Sequence, residues 1–108
     1  MIEMHIKAET TYETVELFKY LCDLTLNHYV LKKAEIRYNR KRLNDENDPP
    51  EKWTLQLYYD RLHISVYGLT SGYNGSGPSD LKEILDYCGF KSEETNRVFS
   101  EESFDLYK

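Results

Sequence analysis

The sequence predicts one α+β domain over residues 1–108, a mostly antiparallel sheet of four to five strands with two helices packed on one face. Three observations carry this expectation. Apolar residues alternate with a period of two in several stretches, the period changes to 3.6 in two others, and the helical stretches bracket hairpin-linked strands in the order β-α-β-β-β-α-β. A ferredoxin-like order with one extra strand is the nearest named pattern.

The elements follow in order. "MIEMHIKAE" sets Met1, Glu3, His5 and Lys7 against Ile2, Met4, Ile6 and Ala8, the signature of a half-buried strand. Thr10 and Glu13 form the S/T-x-x-E pattern of a capping box. Behind it Val15, Phe18, Cys22 and Leu26 recur at helical spacing, so a helix is expected over about 11–29. From Ala34 the period returns to two, with Ala34, Ile36 and Tyr38 on one face and Lys33, Glu35, Arg37, Asn39 and Lys41 on the other. "LNDENDPPEK" reads as a connection. "KWTLQLYY" and "RLHISVYG" put Trp53, Leu55, Leu57 and Tyr59, then Leu62, Ile64 and Val66, on single faces. Only Asp60 and Arg61 separate the two runs, which makes an antiparallel hairpin, although Asp-Arg is not a favoured primed-turn pair. Leu81, Ile84, Leu85 and Cys88 then hold a second helix that Gly89 ends. Of the apolar pieces in the acidic tail, "VFS" and "SFDLY", one is expected as an edge strand.

Composition narrows the function classes. No apolar run approaches the roughly 18 residues a bilayer span needs, so no membrane role is expected. The mixed charges of the first nine residues do not form a signal peptide, and two cysteines are no disulfide framework, which together suggest the cytoplasm. Net charge is -5, but unevenly spread: residues 31–43 carry six bases and one acid. Ten tyrosines account for how a chain of mean hydropathy -0.71 still builds a core.

Four candidate surfaces emerge. The glycine-rich stretch "SGYNGSGPSD" lies between a strand and a helix, so the backbone of Gly72, Tyr73, Asn74, Gly75, Ser76, Gly77 and Ser79 is a candidate ligand or nucleotide cradle. Neither G-x-x-x-x-G-K-[ST] nor G-x-G-x-x-G is present, and a plain bend explains the same residues: Asn74-Gly75 reverses a chain and Pro78 suits a first helical turn. The basic stretch Lys32, Lys33, Arg37, Arg40, Lys41 and Arg42, with Tyr29 and Tyr38 among it, suits a nucleic-acid backbone, against which stands the acidic total. Acids such as Glu9, Glu13, Glu16 and Asp23 could face a basic partner or simply water. Tyr58, His63 and Tyr67 lie off the apolar faces of the hairpin, and tyrosine is over-used at interface hot spots, so this surface suits a protein partner or a second copy of the chain.

His5, His28 and His63 are scattered over separate elements, and the carboxylate neighbours Glu93-Glu94 and Glu101-Glu102 point apart, so no metal, cofactor or catalytic residue is expected. The leading expectation is a non-enzymatic module that acts by binding a protein, as a regulator or inhibitor.

Overall fold

A computed structural model describes residues 1–38 and 53–108. Strands β1 (Ile2–Ile6), β2 (Leu31–Arg37), β3 (Trp53–Tyr59), β4 (Leu62–Tyr67) and β5 (Ser103–Tyr107) form one sheet in the order β1-β4-β3-β2-β5. Helices α1 (Thr11–Leu24), α2 (Ser76–Tyr87) and the four-residue α3 (Ser92–Thr95) complete the fold, with 3-10 turns at Leu26–His28 and Asn96–Phe99. The α+β class and the β3–β4 hairpin are as the periodicity predicts, and "SFDLY" is the edge strand.

The sheet is not purely antiparallel. β1 pairs with β4 in parallel, and only the β4–β3, β3–β2 and β2–β5 ladders are antiparallel. The cause is the connection: α1 carries the chain away from β1, and the β3–β4 hairpin fills the space between β1 and β2. Alternation reports a buried face, not the direction of the neighbouring strand, so the parallel pair leaves no mark in the sequence. Among the described residues there are also three helices rather than two. The first helix ends at Leu24, with the predicted remainder forming the 3-10 turn.

Register explains why one face is the core. Met4, Ile64, Leu57, Ala34 and Leu106 line up across all five strands, as do Ile6, Val66, Leu55, Ile36 and Phe104. Against these two apolar rows lie Val15 and Phe18 of α1, Leu81, Ile84 and Leu85 of α2, and Val98, all buried in one cluster. Slipping any strand by one residue would turn its apolar set outward, which is what fixes the register.

Thr10 caps α1 as its sequence position implies, accepting from the Glu13 amide at 3.1 Å. The two long helices run side by side in the same direction. Thr11 donates to Asp80, Lys19 pairs with Glu83 at 2.7 Å, and the Tyr87 hydroxyl donates to Asp23 at 2.6 Å. The two-residue turn places Arg61 at φ 66, and its Asp60 is held by Val30, whose amide donates to Asp60 Oδ1 at 2.8 Å. That docking gives the unfavoured Asp-Arg pair its place.

Candidate functional site

With the helices on one side, the other sheet face is left without a helix over it among the described residues. Register builds this face in rows as it builds the core. Glu3, His63, Tyr58, Lys33 and Tyr107 form one row across five strands, and His5, Ser65, Gln56, Glu35 and Asp105 form the next. Tyr67 beside Trp53, and Arg37 beside Ser103, begin a third.

Two β-bulges shape the face. Between Trp53 and Leu55 the register advances two residues on β3 for one on β4, so Thr54 is extra and Trp53 stands opposite Tyr67. Paired residues share a face, so Trp53 joins the open side, not the Leu55–Leu57–Tyr59 side on which strict alternation places it. The buried Thr54 hydroxyl donates to the Leu69 carbonyl at 2.7 Å, which holds the bulge. A second bulge at Lys32 lets Leu31 stay against the core while Lys33 turns outward.

The rings and charges on this face hold one another. Tyr58 and His63 stack with centroids 4.6 Å apart and planes at 14°. The Tyr58 hydroxyl donates to Gln56 at 2.7 Å, and Gln56 donates in turn to Ser65 at 3.3 Å. His5 Nδ1 and the Tyr67 hydroxyl are hydrogen-bonded at 2.9 Å. The Lys33 ammonium lies 5.7 Å from the Tyr58 ring and 5.5 Å from the Tyr107 ring, within cation–π range. Arg37 meets Asp105 at 2.8 Å and Glu35 at 3.7 Å, and Lys33 meets Glu35 at 3.3 Å. The Arg37 hydrogen bond holds the Asp105 carboxyl below its ordinary value. His63 Nε2 is buried and has no hydrogen-bond partner among the described residues.

Tyr58, His63 and Tyr67, the predicted interface residues, therefore share one surface, and each is half-buried. Lys33 and Arg37 of the basic stretch lie on that surface, in ion pairs, while Lys32 sits at its bulge. Arg40, Lys41 and Arg42 lie outside the described residues. Trp53, Gln56, Glu35, Asp105, Tyr107 and His5 belong to the same face and were not singled out from the sequence. Their signal was the polar half of each alternating strand, legible only once the strands are placed side by side.

No family model, curated protein or solved structure matches this chain.

The glycine-rich stretch shows two close approaches. Gly72 has φ +97, and its amide donates to the Val98 carbonyl at 2.7 Å. A Cβ there would fall 2.5 Å from Glu102 Cγ and 3.1 Å from the Glu102 nitrogen. At Gly77, buried in the first turn of α2, a Cβ would fall 1.9 Å from Thr70 Oγ1. Thr70 is itself bonded to the Tyr73 hydroxyl at 2.8 Å. Ser71 is fully buried and donates to the Glu101 carbonyl at 2.6 Å. Helix α2 begins at Ser76 with Gly75 extended before it and no side chain capping it. Gly72 and Gly77 thus have packing reasons to be glycine, those of a bend pressed against the 95–102 segment and Thr70.

Both cysteines are free and half-buried, where helical spacing predicted core thiols. Burial pushes Cys22 up to about 11 and Cys88 up to about 12. A free cysteine titrates near 8.5, so at neutral pH both are thiols with little thiolate to attack an electrophile. Iodoacetamide at pH 7.5 is expected to label the native protein at least about tenfold more slowly than the protein in denaturant. Equal rates, followed by mass spectrometry, would show that the fold does not shield them. Among the described residues no group of three or more His, Cys, Asp or Glu is placed to hold a metal ion, and no helix is long and apolar enough to cross a membrane.

Proposed function

We propose that the protein is a non-enzymatic binding module that docks a partner protein on the helix-free face of its sheet, acting as a regulator or inhibitor by occupying the partner's surface. The observation that supports this reading is the three-row array itself. Aromatic rings from β3, β4 and β5 stand among hydrogen-bonding side chains on a five-strand surface with no helix over it among the described residues. Tyrosine, tryptophan and arginine dominate interface hot spots because they bring large contact area with a polar handle.

The charge pattern favours a protein over a nucleic acid. Among the described residues of the paired rows, three carboxylates, Glu3, Glu35 and Asp105, share the face with two cations, Lys33 and Arg37, and both cations are engaged by carboxylates. A phosphate would have to displace those carboxylates and would be repelled by them. A protein surface of mixed sign meets such a face without that cost.

The test is an affinity capture from the native host with the sheet face and the helix layer altered separately. A Tyr58→Ala/Tyr67→Ala variant is expected to lose a specific protein that the parent chain retains. A Tyr12→Ala/Tyr20→Ala variant, changing two exposed tyrosines of α1, is expected to keep it. Single hot-spot truncations cost about 2 kcal/mol or more, roughly thirtyfold in affinity, so the loss should be plain at ordinary bait concentrations. Retention by the sheet-face variant would overturn the assignment. A chain that sediments as a dimer, and becomes a monomer on Tyr58→Ala/Tyr67→Ala, would make the occupant a second copy instead.

A further inference from the structure

β1 lies at one end of the sheet order, with β4 on one side and no strand on the other among the described residues. The Ile2 amide donates to the Arg61 carbonyl at 3.0 Å, so Ile2, Met4 and Ile6 turn their backbone groups toward β4. The amides and carbonyls of Glu3 and His5 therefore point away from the sheet. Exposed edges are ordinarily guarded by lysine, proline or a bulge. Ile2–Ile6 has none of these: its register with β4 runs unbroken, and Ile2 is 56 % exposed. We propose that this edge is a self-association surface, on which β1 of a second copy of the chain pairs antiparallel about a two-fold axis through Met4.

The strand is complementary to itself in that register. A two-fold at Met4 sets Glu3 opposite His5 of the second copy, and His5 opposite its Glu3. These are the residues with outward backbone groups, so each pair exchanges both of its N–H···O bonds. Their side chains meet on the open face, carboxylate against imidazole, once on each side of the axis. His5 Nδ1 is already bonded to the Tyr67 hydroxyl at 2.9 Å, which leaves Nε2 to meet the carboxylate. On the helix side the exposed Ile2 lies opposite Ile6 of the second copy. A two-fold at Glu3 or at His5 would set like against like instead. The far edge offers less: β5 turns the backbone of Ser103, Asp105 and Tyr107 outward, and a two-fold at its centre opposes two Asp105 carboxylates.

The axis runs perpendicular to the sheet, so the two open faces end on one side and the helices on the other. Tyr58, on β3, lies two strands in from the edge and takes no part. Self-association here therefore stands independently of the partner-docking reading.

Sedimentation equilibrium of the untagged chain is the test. A contact between edge strands is small, so a reversible monomer–dimer equilibrium is expected with a Kd of roughly 10–100 µM. Amide hydrogen exchange at Glu3 and His5 should slow as the dimer fills. Glu3→Pro, which removes an outward amide, is expected to raise the Kd about tenfold or more while the thermal midpoint holds. Glu3→Lys is expected to weaken the dimer about tenfold, and adding His5→Glu to restore it, because lysine then faces glutamate. Tyr58→Ala is expected to leave it unchanged. A chain that stays monomeric to about 500 µM would overturn the proposal. So would a dimer that Glu3→Lys leaves intact, that the double variant fails to recover, or that Tyr58→Ala dissolves. If Glu3→Pro does not fold, the charge variants decide alone.

Discussion

Replacing Gly72 by alanine is expected to lower stability by about 3 kcal/mol, a large share of the 5–15 kcal/mol that holds a domain of this size together. Two costs combine. At φ +97 an L-residue is strained by roughly 1–2 kcal/mol, and the new methyl group meets the Glu102 backbone at 3.1–3.2 Å as well as its side chain. Backbone cannot rotate out of the way, so the loop must lift from the 95–102 segment and loosen the Gly72–Val98 hydrogen bond. The urea midpoint measures the loss. The comparison that isolates its cause is Gly77→Ala, where crowding against Thr70 acts without a positive φ. That variant should lose about 2 kcal/mol and recover most of it when Thr70→Gly removes the colliding side chain, while truncating the Glu102 side chain should leave most of the Gly72→Ala loss in place. A Gly72→Ala midpoint within about 0.5 kcal/mol of the parent would show that the bend is not pressed as described.

The same experiment separates the bend from an anion cradle. A ligand that binds only the folded chain raises its midpoint by mass action, so a phosphate-binding loop would be stabilised by millimolar phosphate or ATP, and Gly75→Val would abolish the gain. We expect flat responses to both. A clear upward shift would return the loop to the candidate binding sites.

What the sequence discloses and what it hides divide along a physical line. Local rhythm is visible: the Val15–Phe18–Cys22 spacing, the alternation through Leu62, Ile64 and Val66, and the Thr10 cap all report their own element. So does the polar side of the hairpin, which is why Tyr58, His63 and Tyr67 could be named in advance. Partnership between distant segments is not visible. Nothing in "IEMHI" says that it lies parallel to "LHISV", and nothing in "SFDLY" says that Asp105 answers Arg37. The bulges are hidden for a different reason. An inserted residue at Thr54 leaves composition unchanged yet turns Trp53 to the opposite face, so strict alternation misplaces the one residue it cannot count past. The helix layer adds a third case, since Cys22 and Cys88 satisfy helical spacing and still end only half-buried between the ends of α1 and α2.

Phe18→Ala is expected to be the most damaging single truncation, at about 3–5 kcal/mol, the range observed when a buried phenylalanine is removed and its cavity only partly collapses. Phe18 is fully buried, as are Val15 beside it and Leu81, Ile84 and Leu85 on α2. It is the one aromatic side chain that α1 buries in the core, and it belongs to the same buried cluster as Ile64, Leu57 and Leu55 of the sheet. Those strands are pinned by hydrogen-bonded ladders on both sides, so the sheet wall cannot move in to fill the space. The urea midpoint should fall with an unchanged slope, because the native and unfolded states still differ by nearly the same exposed surface. A loss under about 1.5 kcal/mol would mean that α1 rides loosely and can follow the missing ring inward. The variant also tests whether the two faces of the sheet act separately. Phe18 touches only the helix side, so at temperatures where Phe18→Ala remains folded, the Tyr58–His63 stack and the Arg37–Asp105 pair should be intact and partner capture unchanged. A fold-retaining Phe18→Ala that fails to bind would place the binding surface on the helix layer and not on the open sheet.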